Sequence, residues 1–277
     1  MPIRIVTDSS ADLAAAKEEA LVSVPLRIIT DEKEYTDDAQ LDVSTMVQEL
    51  YTYRGRSSTS CPNAGDWLDA FADADEVLCF TITSNLSGAY ASAVDAKNLY
   101  LQERPEAKVY VVDSLSTGGE MRLLIEKARE LESEGCSFDE ICTALEKYKK
   151  TTHLLFALES MKNLVNNGRV DRVSALAAGL LGIRAVGQAS VEGTLEMLKK
   201  CRGKKQTLQT LIELMLERGY RGGKLRIAHC ENAEAAETLA ETVKKRFPLA
   251  DIRVCLCGAL CSFYAERGGL ILGFEGA

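Results

Sequence analysis

The sequence has few residues of the kinds that most often carry catalysis or bind metal. His153 and His229 are the only histidines among 277 residues, and the nine cysteines include no Cys-x-x-Cys pair. Zinc sites need such pairs or closely spaced histidines, so no metal site is expected. A serine hydrolase needs a base beside its serine. Both histidines fall at the ends of predicted strands without such a serine, so no catalytic residue is assigned.

Positive charge and long apolar runs are also scarce. The 33 basic and 41 acidic side chains give a net charge of −8. This balance argues against a nucleic-acid partner, whose phosphates need clustered Lys and Arg. The densest basic cluster, at 199–205, is interpreted as a solvated loop.

No apolar run approaches the roughly 20 residues that span a bilayer. The beginning, MPIRIVTDSS, also lacks the apolar core of a signal peptide. We therefore expect a cytoplasmic protein without a stable membrane anchor. In that compartment the cysteines stay reduced and serve as small core residues.

The first half of the chain alternates between apolar strands and helices. Strands are predicted at 3–7, 22–29, 76–82 and 108–112, and helices at 12–20, 43–53, 62–71, 86–103 and 117–134. Strands that are apolar throughout and separated by helices are typical of a parallel sheet covered on both faces. The pattern predicts an α/β fold whose N-terminal domain is Rossmann-like.

The second half has a different pattern, which predicts a second α/β domain with a mixed sheet. Helices are predicted at 138–151, 161–165, 173–181, 206–218 and 233–247, and strands at 153–157, 225–229, 252–257 and 270–274. A hairpin at 186–197 has its turn at Glu192-Gly193. We place the boundary near residue 155, which divides the chain into domains 1–155 and 156–277.

Hydroxyl-rich turns follow several strands of the first domain. They are Thr7-Asp8-Ser9-Ser10, Thr83-Ser84-Asn85-Leu86-Ser87-Gly88 and Asp113-Ser114-Leu115-Ser116-Thr117-Gly118-Gly119, and Thr59-Ser60-Cys61-Pro62 opens a helix in the same style. Ligands of open parallel sheets bind outside the carboxyl ends of the strands, so the turns are expected to converge there. The helix N-termini at such a site favour an anion.

The turns allow two interpretations. Ser, Thr, Asp and Asn are the commonest helix N-caps, so capping explains any one turn alone. Together the turns favour a binding site. They contain no Lys or Arg, and the chain has neither a G-x-x-x-x-G-K-[ST] nor a G-x-G-x-x-G motif, which disfavours a nucleotide. A singly charged acid held by hydroxyl groups fits this cation-free set better.

These turns, in this order, resemble the DegV family of bacterial proteins. The resemblance covers nearly the whole chain through Val6-Thr7-Asp8-Ser9-Ser10-Ala11-Asp12-Leu13, Thr59-Ser60-Cys61-Pro62, Leu86-Ser87-Gly88-Ala89-Tyr90, Val112-Asp113-Ser114, Asn167-Gly168-Arg169-Val170 and Ile227-Ala228-His229. It implies a two-domain α/β fold that binds a long-chain fatty acid, roughly C14–C18, in a buried tunnel between the domains. It also implies a partner, the ATP-binding subunit of a fatty-acid kinase, which phosphorylates the bound carboxylate. No cofactor is implied.

The resemblance also assigns roles to residues. The carboxylate-binding hydroxyl groups fall on Thr59, Ser60 and Ser87, with Gly88 alongside. Tyr264 takes the place of a histidine that the family commonly carries near the carboxylate. The supporting turns contribute Asp8, Ser9, Ser84, Asn85, Asp113 and Ser114. Arg169 is the candidate for contact with the partner.

Three functional hypotheses follow. The first is a fatty-acid carrier without catalysis of its own. The second is an enzyme, a small-acid hydrolase or phosphotransferase that uses the same Ser, Thr and Asp turns, although no suitably placed His or Lys supports it. The third is a sensor of a non-lipid small molecule.

Overall fold

The structure, a computed structural model, describes residues 3–13, 21–170 and 182–277. The strands in these ranges are β1 (Arg4–Asp8), β2 (Leu21–Val24), β3 (Arg27–Thr30), β4 (Glu34–Thr36), β5 (Ser57–Ser60), β6 (Glu76–Thr81), β7 (Lys108–Asp113), β8 (Thr152–Leu158), β9 (Ile183–Ala189), β10 (Leu195–Arg202), β11 (Lys224–His229), β12 (Asp251–Leu256) and β13 (Leu270–Glu275). The helices are α1 (Val43–Thr52), α2 (Ala64–Phe71), α3 (Ala89–Glu103), α4 (Gly118–Ser133), α5 (Phe138–Tyr148), α6 (Lys162–Asn166), α7 (Gly203–Glu217), α8 (Ala233–Arg246) and α9 (Ala259–Ala265). The helix predicted at 12–20 lies largely outside the described residues, and the one at 173–181 lies wholly outside them.

A four-stranded sheet in the order β2-β1-β6-β7 forms the N-terminal half, and each neighbouring pair is parallel. Successive side chains of a strand point to opposite faces. Val6 and Cys79 therefore pack under α2 and α3, whereas Ile5 and Phe80 pack under α4 and α5. The predicted parallel sheet with helices on both faces is confirmed.

The single strand predicted at 22–29 is wrong, because the chain changes sheets within it. Pro25 follows β2, and a proline has no N–H for a sheet ladder and restricts the residue before it. After this break, β3 pairs with β4 and β5 in a separate three-stranded antiparallel sheet. The segment 57–60, predicted as the approach to a helix, is strand β5. Helix α2 begins only at Ala64, where Asn63 and Asp66 form a capping box.

The C-terminal half is built on a six-stranded sheet in the order β10-β9-β8-β13-β11-β12. Only β11 and β12 are parallel neighbours; the other pairs are antiparallel. Helices α7 and α8 pack on one face over Leu155 and Leu272. Leu154, Phe156 and Ile271 point to the opposite face, toward α1 and α9. The predicted mixed sheet is confirmed, as is the hairpin turn at Glu192-Gly193.

Helix α4 joins the two large sheets. Its Met121 and Leu124 pack on the parallel sheet, and its N-terminal turn lies directly on β11 and β13. A Cβ atom added at Gly119 would lie 2.7 Å from the Arg226 carbonyl oxygen and 2.8 Å from the Gly273 nitrogen. Further along the helix, Glu126 Oε2 pairs with Arg226 Nη2 at 2.6 Å. The spacing between the sheets is therefore set by a backbone contact.

The boundary predicted at residue 155 falls inside β8, all of which belongs to the six-stranded sheet. A boundary drawn between the sheets lies before Thr152. The division of the chain into two domains itself stays a prediction.

Candidate functional site

A cavity of about 690 Å³ lies between the two halves of the protein. Most of its lining side chains are apolar. They are Leu26, Ile82, Leu86, Leu154, Phe156, Leu158, Leu164, Leu195, Leu260, Ala265 and Ile271. Leu154, Phe156 and Leu158 alternate along β8, so they present one apolar face to the cavity. The 690 Å³ include space that is open to solvent.

Hydroxyl groups from both halves meet in the wall of this cavity. Thr59 Oγ1 on β5 and Tyr264 Oη on α9 are hydrogen-bonded at 2.8 Å, and both residues line the cavity with Ser87. The Ser87 Oγ accepts a hydrogen bond of 3.3 Å from the Ala89 N–H. The geometry thus brings together Thr59, Ser87 and Tyr264, three of the five residues predicted to bind a carboxylate.

Tyr264 stays a neutral phenol at physiological pH. Burial raises its pKa above the usual value, against a hydrogen bond from Thr59 and the nearby charge of Arg169, which lower it. A neutral phenol can donate one hydrogen bond to an anion.

Arg169 adds a positive charge to the cavity wall. Its Nε donates to the Leu86 carbonyl oxygen at 3.2 Å, and its Nη1 donates to the Asn167 carbonyl oxygen. The guanidinium group therefore lies against the turn that carries Ser87. The turns themselves contain no cation, and the positive charge in the cavity wall comes from the second half of the chain.

Two of the predicted carboxylate-binding residues do not line the cavity. Ser60 follows Thr59 in β5, so its side chain points to the other side of the strand, and its Oγ donates to the Cys61 carbonyl oxygen at 3.2 Å. Gly88 is the exposed N-cap of α3. A Cβ added there would lie 3.2 Å from Cys61 Sγ, so this position accommodates a close approach between two turns.

Asp8 and Ser9 stabilise the turn after β1 rather than the cavity. The Asp8 carboxylate accepts hydrogen bonds from the Ser10 N–H at 3.1 Å and from the Ile82 N–H at 2.7 Å. Burial raises the pKa of Asp8 to about 6, although these hydrogen bonds oppose the shift. The Ser9 Oγ accepts from the Leu26 N–H at 3.0 Å. Neither Asp8 nor Ser9 lines the cavity.

The remaining predicted turn residues hold loops together beside the cavity. Asp113 Oδ1 accepts from the Ser84 N–H at 3.2 Å and from the Leu115 N–H at 3.0 Å. Ser114 Oγ donates to the Ser116 carbonyl oxygen at 3.0 Å. Asn85 Nδ2 donates to the Glu192 carbonyl oxygen at 2.5 Å. None of Ser84, Asn85, Asp113 and Ser114 lines the cavity.

The hairpin between β9 and β10 closes one side of the cavity. Its tip docks on the N-terminal half, where Thr83 Oγ1 donates to the Gly193 carbonyl oxygen at 3.0 Å. Gly193 has a φ of +80°, and a Cβ there would lie 2.9 Å from the Leu115 Cα. This turn therefore requires glycine for both its conformation and its contact. Leu195, two residues further on, lines the cavity.

Thr117 and Cys261 were not predicted as site residues, although both line the cavity. Thr117 Oγ1 donates to the Ser10 carbonyl oxygen at 3.3 Å and lies 3.6 Å from Cys261 Sγ. Burial raises the pKa of the Cys261 thiol well above its usual value, so the thiol is protonated. The Ser-Thr-Gly-Gly stretch ahead of α4 is the sequence signal that could have identified Thr117.

His153 and His229 lie away from the cavity wall. His153 packs against Phe274 with ring centroids 5.5 Å apart, and the Nδ1 of His229 accepts from the Asn232 N–H at 3.3 Å. Within residues 3–13, 21–170 and 182–277, no group of three or more His, Cys, Asp and Glu side chains could hold a metal ion. In the same ranges no helix has the length and apolar character needed to cross a membrane.

Comparisons with known proteins agree with this architecture. The model of the family described as "Uncharacterised protein, DegV family" matches residues 2–275. The chain belongs to the DegV family. A DegV domain-containing protein of Streptococcus pneumoniae is 42% identical over 279 residues, covering 99% of each chain.

Two solved structures of DegV relatives contain bound lipid. A DegV family protein from Eubacterium eligens, loaded with heptadecanoic acid, superposes with a TM-score of 0.97 at 45% identity, covering 99% of this chain and 100% of that one. The Streptococcus pneumoniae fatty acid kinase B3 protein, loaded with linoleic acid, has a TM-score of 0.97 at 41% identity and full coverage of both chains. The fold predicted from the sequence is therefore shared with fatty-acid-binding proteins.

Proposed function

We propose that this protein binds one long-chain fatty acid, about C14–C18, in the cavity and acts as a carrier without catalysis of its own. The observation that carries the proposal is the apolar cavity with Thr59, Ser87, Tyr264 and Arg169 in its wall. The apolar wall accommodates the acyl chain, and the polar groups receive the carboxylate. Both solved relatives described above contain a fatty acid.

The energetics of this arrangement are favourable. Burying an acyl chain contributes about 0.8 kcal/mol per methylene, so about fifteen methylenes give an upper bound near 12 kcal/mol before the costs of association. The carboxylate must then keep hydrogen bonds that replace its hydration. Thr59 and Tyr264 are hydrogen-bonded to each other. A carboxylate between them would accept one hydrogen bond from each, and the charge of Arg169 would stabilise the anion.

We further propose that the carboxylate is presented to a separate kinase subunit, which converts it to an acyl phosphate with ATP. The polar groups lie nearer the protein surface, since Ser87, Arg169 and Tyr264 are only partly buried. Leu154 and Phe156, which line the apolar part, are buried. The anionic end of a ligand would therefore be the end that a partner can reach, with Arg169 beside it.

Mass spectrometry of an organic extract tests the carrier function. Protein produced in a bacterial host should contain C14–C18 fatty acid at near one molecule per chain. Protein that contains no lipid and also rejects added palmitate would refute the proposal. Kinase coupling is tested separately, by adding a fatty-acid kinase subunit and ATP to the loaded protein and trapping acyl phosphate with hydroxylamine.

Arg169→Gln should lower the yield of acyl phosphate even at saturating fatty acid. Arg184→Gln is the control, because Arg184 pairs with Glu159 and does not line the cavity. An unchanged yield with Arg169→Gln would contradict the role of Arg169 toward the partner.

A further inference from the structure

Two buried carboxylates hold the N-terminus of helix α9. Asp37 Oδ1 accepts from the Ala259 N–H at 2.8 Å, and Asp37 Oδ2 accepts from the Leu260 N–H at 3.0 Å. Asp12 Oδ1 accepts from the Gly258 N–H at 2.7 Å. These amides are the groups that a helix N-terminus leaves unpaired, so both aspartates act as caps supplied from far away in the sequence.

The helix held in this way carries four residues of the cavity wall, among them the polar Tyr264. Leu260, Cys261, Tyr264 and Ala265 all line the cavity. With seven residues α9 has only about two turns, too few to be stable without tertiary contacts. At its other end, Asn163 Nδ2 donates to the Phe263 carbonyl oxygen at 2.8 Å. The position of the Tyr264 hydroxyl therefore depends on what anchors the helix.

The Asp37 anchor lies directly after one strand of the small sheet that contains Thr59. Ile28 in the middle strand β3 pairs with Tyr35 on one side and with Thr59 on the other. Asp37 follows directly after β4, and its own N–H donates to the Leu26 carbonyl oxygen at 2.9 Å. The three-stranded sheet thus holds Thr59 directly and holds Tyr264 through Asp37 and α9.

We propose that Asp37 is a positioning residue of the carboxylate site, which keeps the Tyr264 hydroxyl within hydrogen-bonding distance of Thr59 and of a bound carboxylate. The inference rests on the proposed fatty-acid binding. Asp37 does not line the cavity and acts only through the helix. Burial raises the pKa of Asp37, and the hydrogen bonds from the Leu260 and Ala259 N–H groups and from Ser9 oppose this shift.

Asp37→Asn is the direct test. The amide keeps the size of the side chain but replaces one acceptor oxygen by an NH₂ group that faces a backbone N–H. We expect about tenfold weaker binding of palmitate, as for loss of one hydrogen bond to a charged group. The affinity for methyl palmitate, which has the same chain but no charge, should fall by about threefold or less. Both affinities are measured by competition against a fluorescent fatty-acid probe.

A double-mutant cycle with Tyr264→Phe separates positioning from general destabilisation. If Asp37 acts through Tyr264, Asp37→Asn should have little further effect on palmitate binding once the hydroxyl is gone. Asp42→Asn is the matched control, because Asp42 caps the exposed start of α1 and asparagine caps equally well. Its affinities should equal those of the wild type. If Asp37→Asn does not fold, Asp37→Glu, which keeps both acceptor oxygens on a longer side chain, enters the same cycle.

The outcomes distinguish this inference from the proposed function. Equal losses for palmitate and methyl palmitate, or fully additive losses in the cycle, would show a merely structural role and overturn the inference while leaving the carrier function intact. A wild-type protein that binds neither ligand would refute the carrier function, and the positioning role would fall with it. A selective, non-additive loss for palmitate supports both.

Discussion

Replacing Thr59 by valine tests the carboxylate site with the least disturbance to the fold. Valine has nearly the shape of threonine and suits a strand, so β5 should persist. In the free protein the change removes the 2.8 Å hydrogen bond to Tyr264, which costs about 1 kcal/mol of stability. In the complex it removes a hydrogen bond to a charged group, worth about 1.5–3 kcal/mol. The difference between these two losses, about 0.5–2 kcal/mol, is the net loss of binding free energy, so fatty-acid affinity should fall by about twofold to thirtyfold.

The assay is titration of delipidated protein with palmitate, with thermal unfolding measured in parallel. Ser58→Val is the control, since Ser58 is the exposed neighbour on the same strand and should leave the affinity unchanged. An unaltered affinity in a folded Thr59→Val variant would refute the assignment of this hydroxyl to the ligand. The Thr59–Tyr264 bond would then only join β5 to α9.

Other substitutions test the junction between the sheets, the buried acids and the tyrosine. Gly119→Ala should lower the free energy of unfolding by about 1–3 kcal/mol in denaturant titrations. The same change in an exposed helix stabilises by up to about 1 kcal/mol. The sign of the change therefore decides whether the contact with β11 and β13 is as tight as described. Burial raises the pKa of Glu120 to about 7, above its value in the unfolded chain. Because the folded state holds this proton more tightly, the free energy of unfolding should fall as pH rises from about 4 to about 7. Glu120→Gln should make that fall shallower by up to about 3 kcal/mol; an identical pH profile in the two proteins would contradict the shift. Tyr264→His should introduce a change in fatty-acid affinity between about pH 5.5 and 7.5, with tighter binding at the acidic end, relative to a wild type that has no imidazole in its cavity wall. A variant that follows the wild-type profile would place residue 264 away from the carboxylate.

The regular elements of the parallel sheet could be predicted from local pattern. β1, β6 and β7 are mainly apolar runs that end at Asp8, Thr81 and Asp113, and α3 and α4 begin after the hydroxyl-rich turns that follow β6 and β7. Both signals are short-range properties of the chain. The path from β2 to β3 was missed because the apolar run continues through Pro25, and only the partner strands show that the two sides of the proline belong to different sheets.

Helix α9 could not be predicted because its caps are distant in sequence. Asp37 precedes the residues that it caps by more than 200 positions. The local stretch, with Gly258 and two cysteines, shows no strong helical pattern. No element is predicted for this stretch, whereas Tyr264 lies on a helix.

The site was predicted in part, for a related reason. Thr59, Ser87, Tyr264 and Arg169 do share one cavity, and the resemblance to the family was needed to select them among many hydroxyl residues. A hydroxyl that stabilises its own turn, such as that of Ser114, has the same local sequence pattern as one that faces a ligand. The difference depends on which side of the turn meets the other half of the protein, which only tertiary packing determines.

The contact between Gly119 and the backbone of β13 has a consequence for how the protein can select the acyl chain of its ligand. Because main chain meets main chain there, the distance between the turn at Ser87 and the apolar strand β8 cannot be tuned by exchanging a side chain at the junction. The frame of the cavity is fixed, and the side chains of its wall determine which ligand fits. A larger residue at Ala265 or a smaller one at Phe156 would alter which chain the cavity accommodates while the frame around it stays the same.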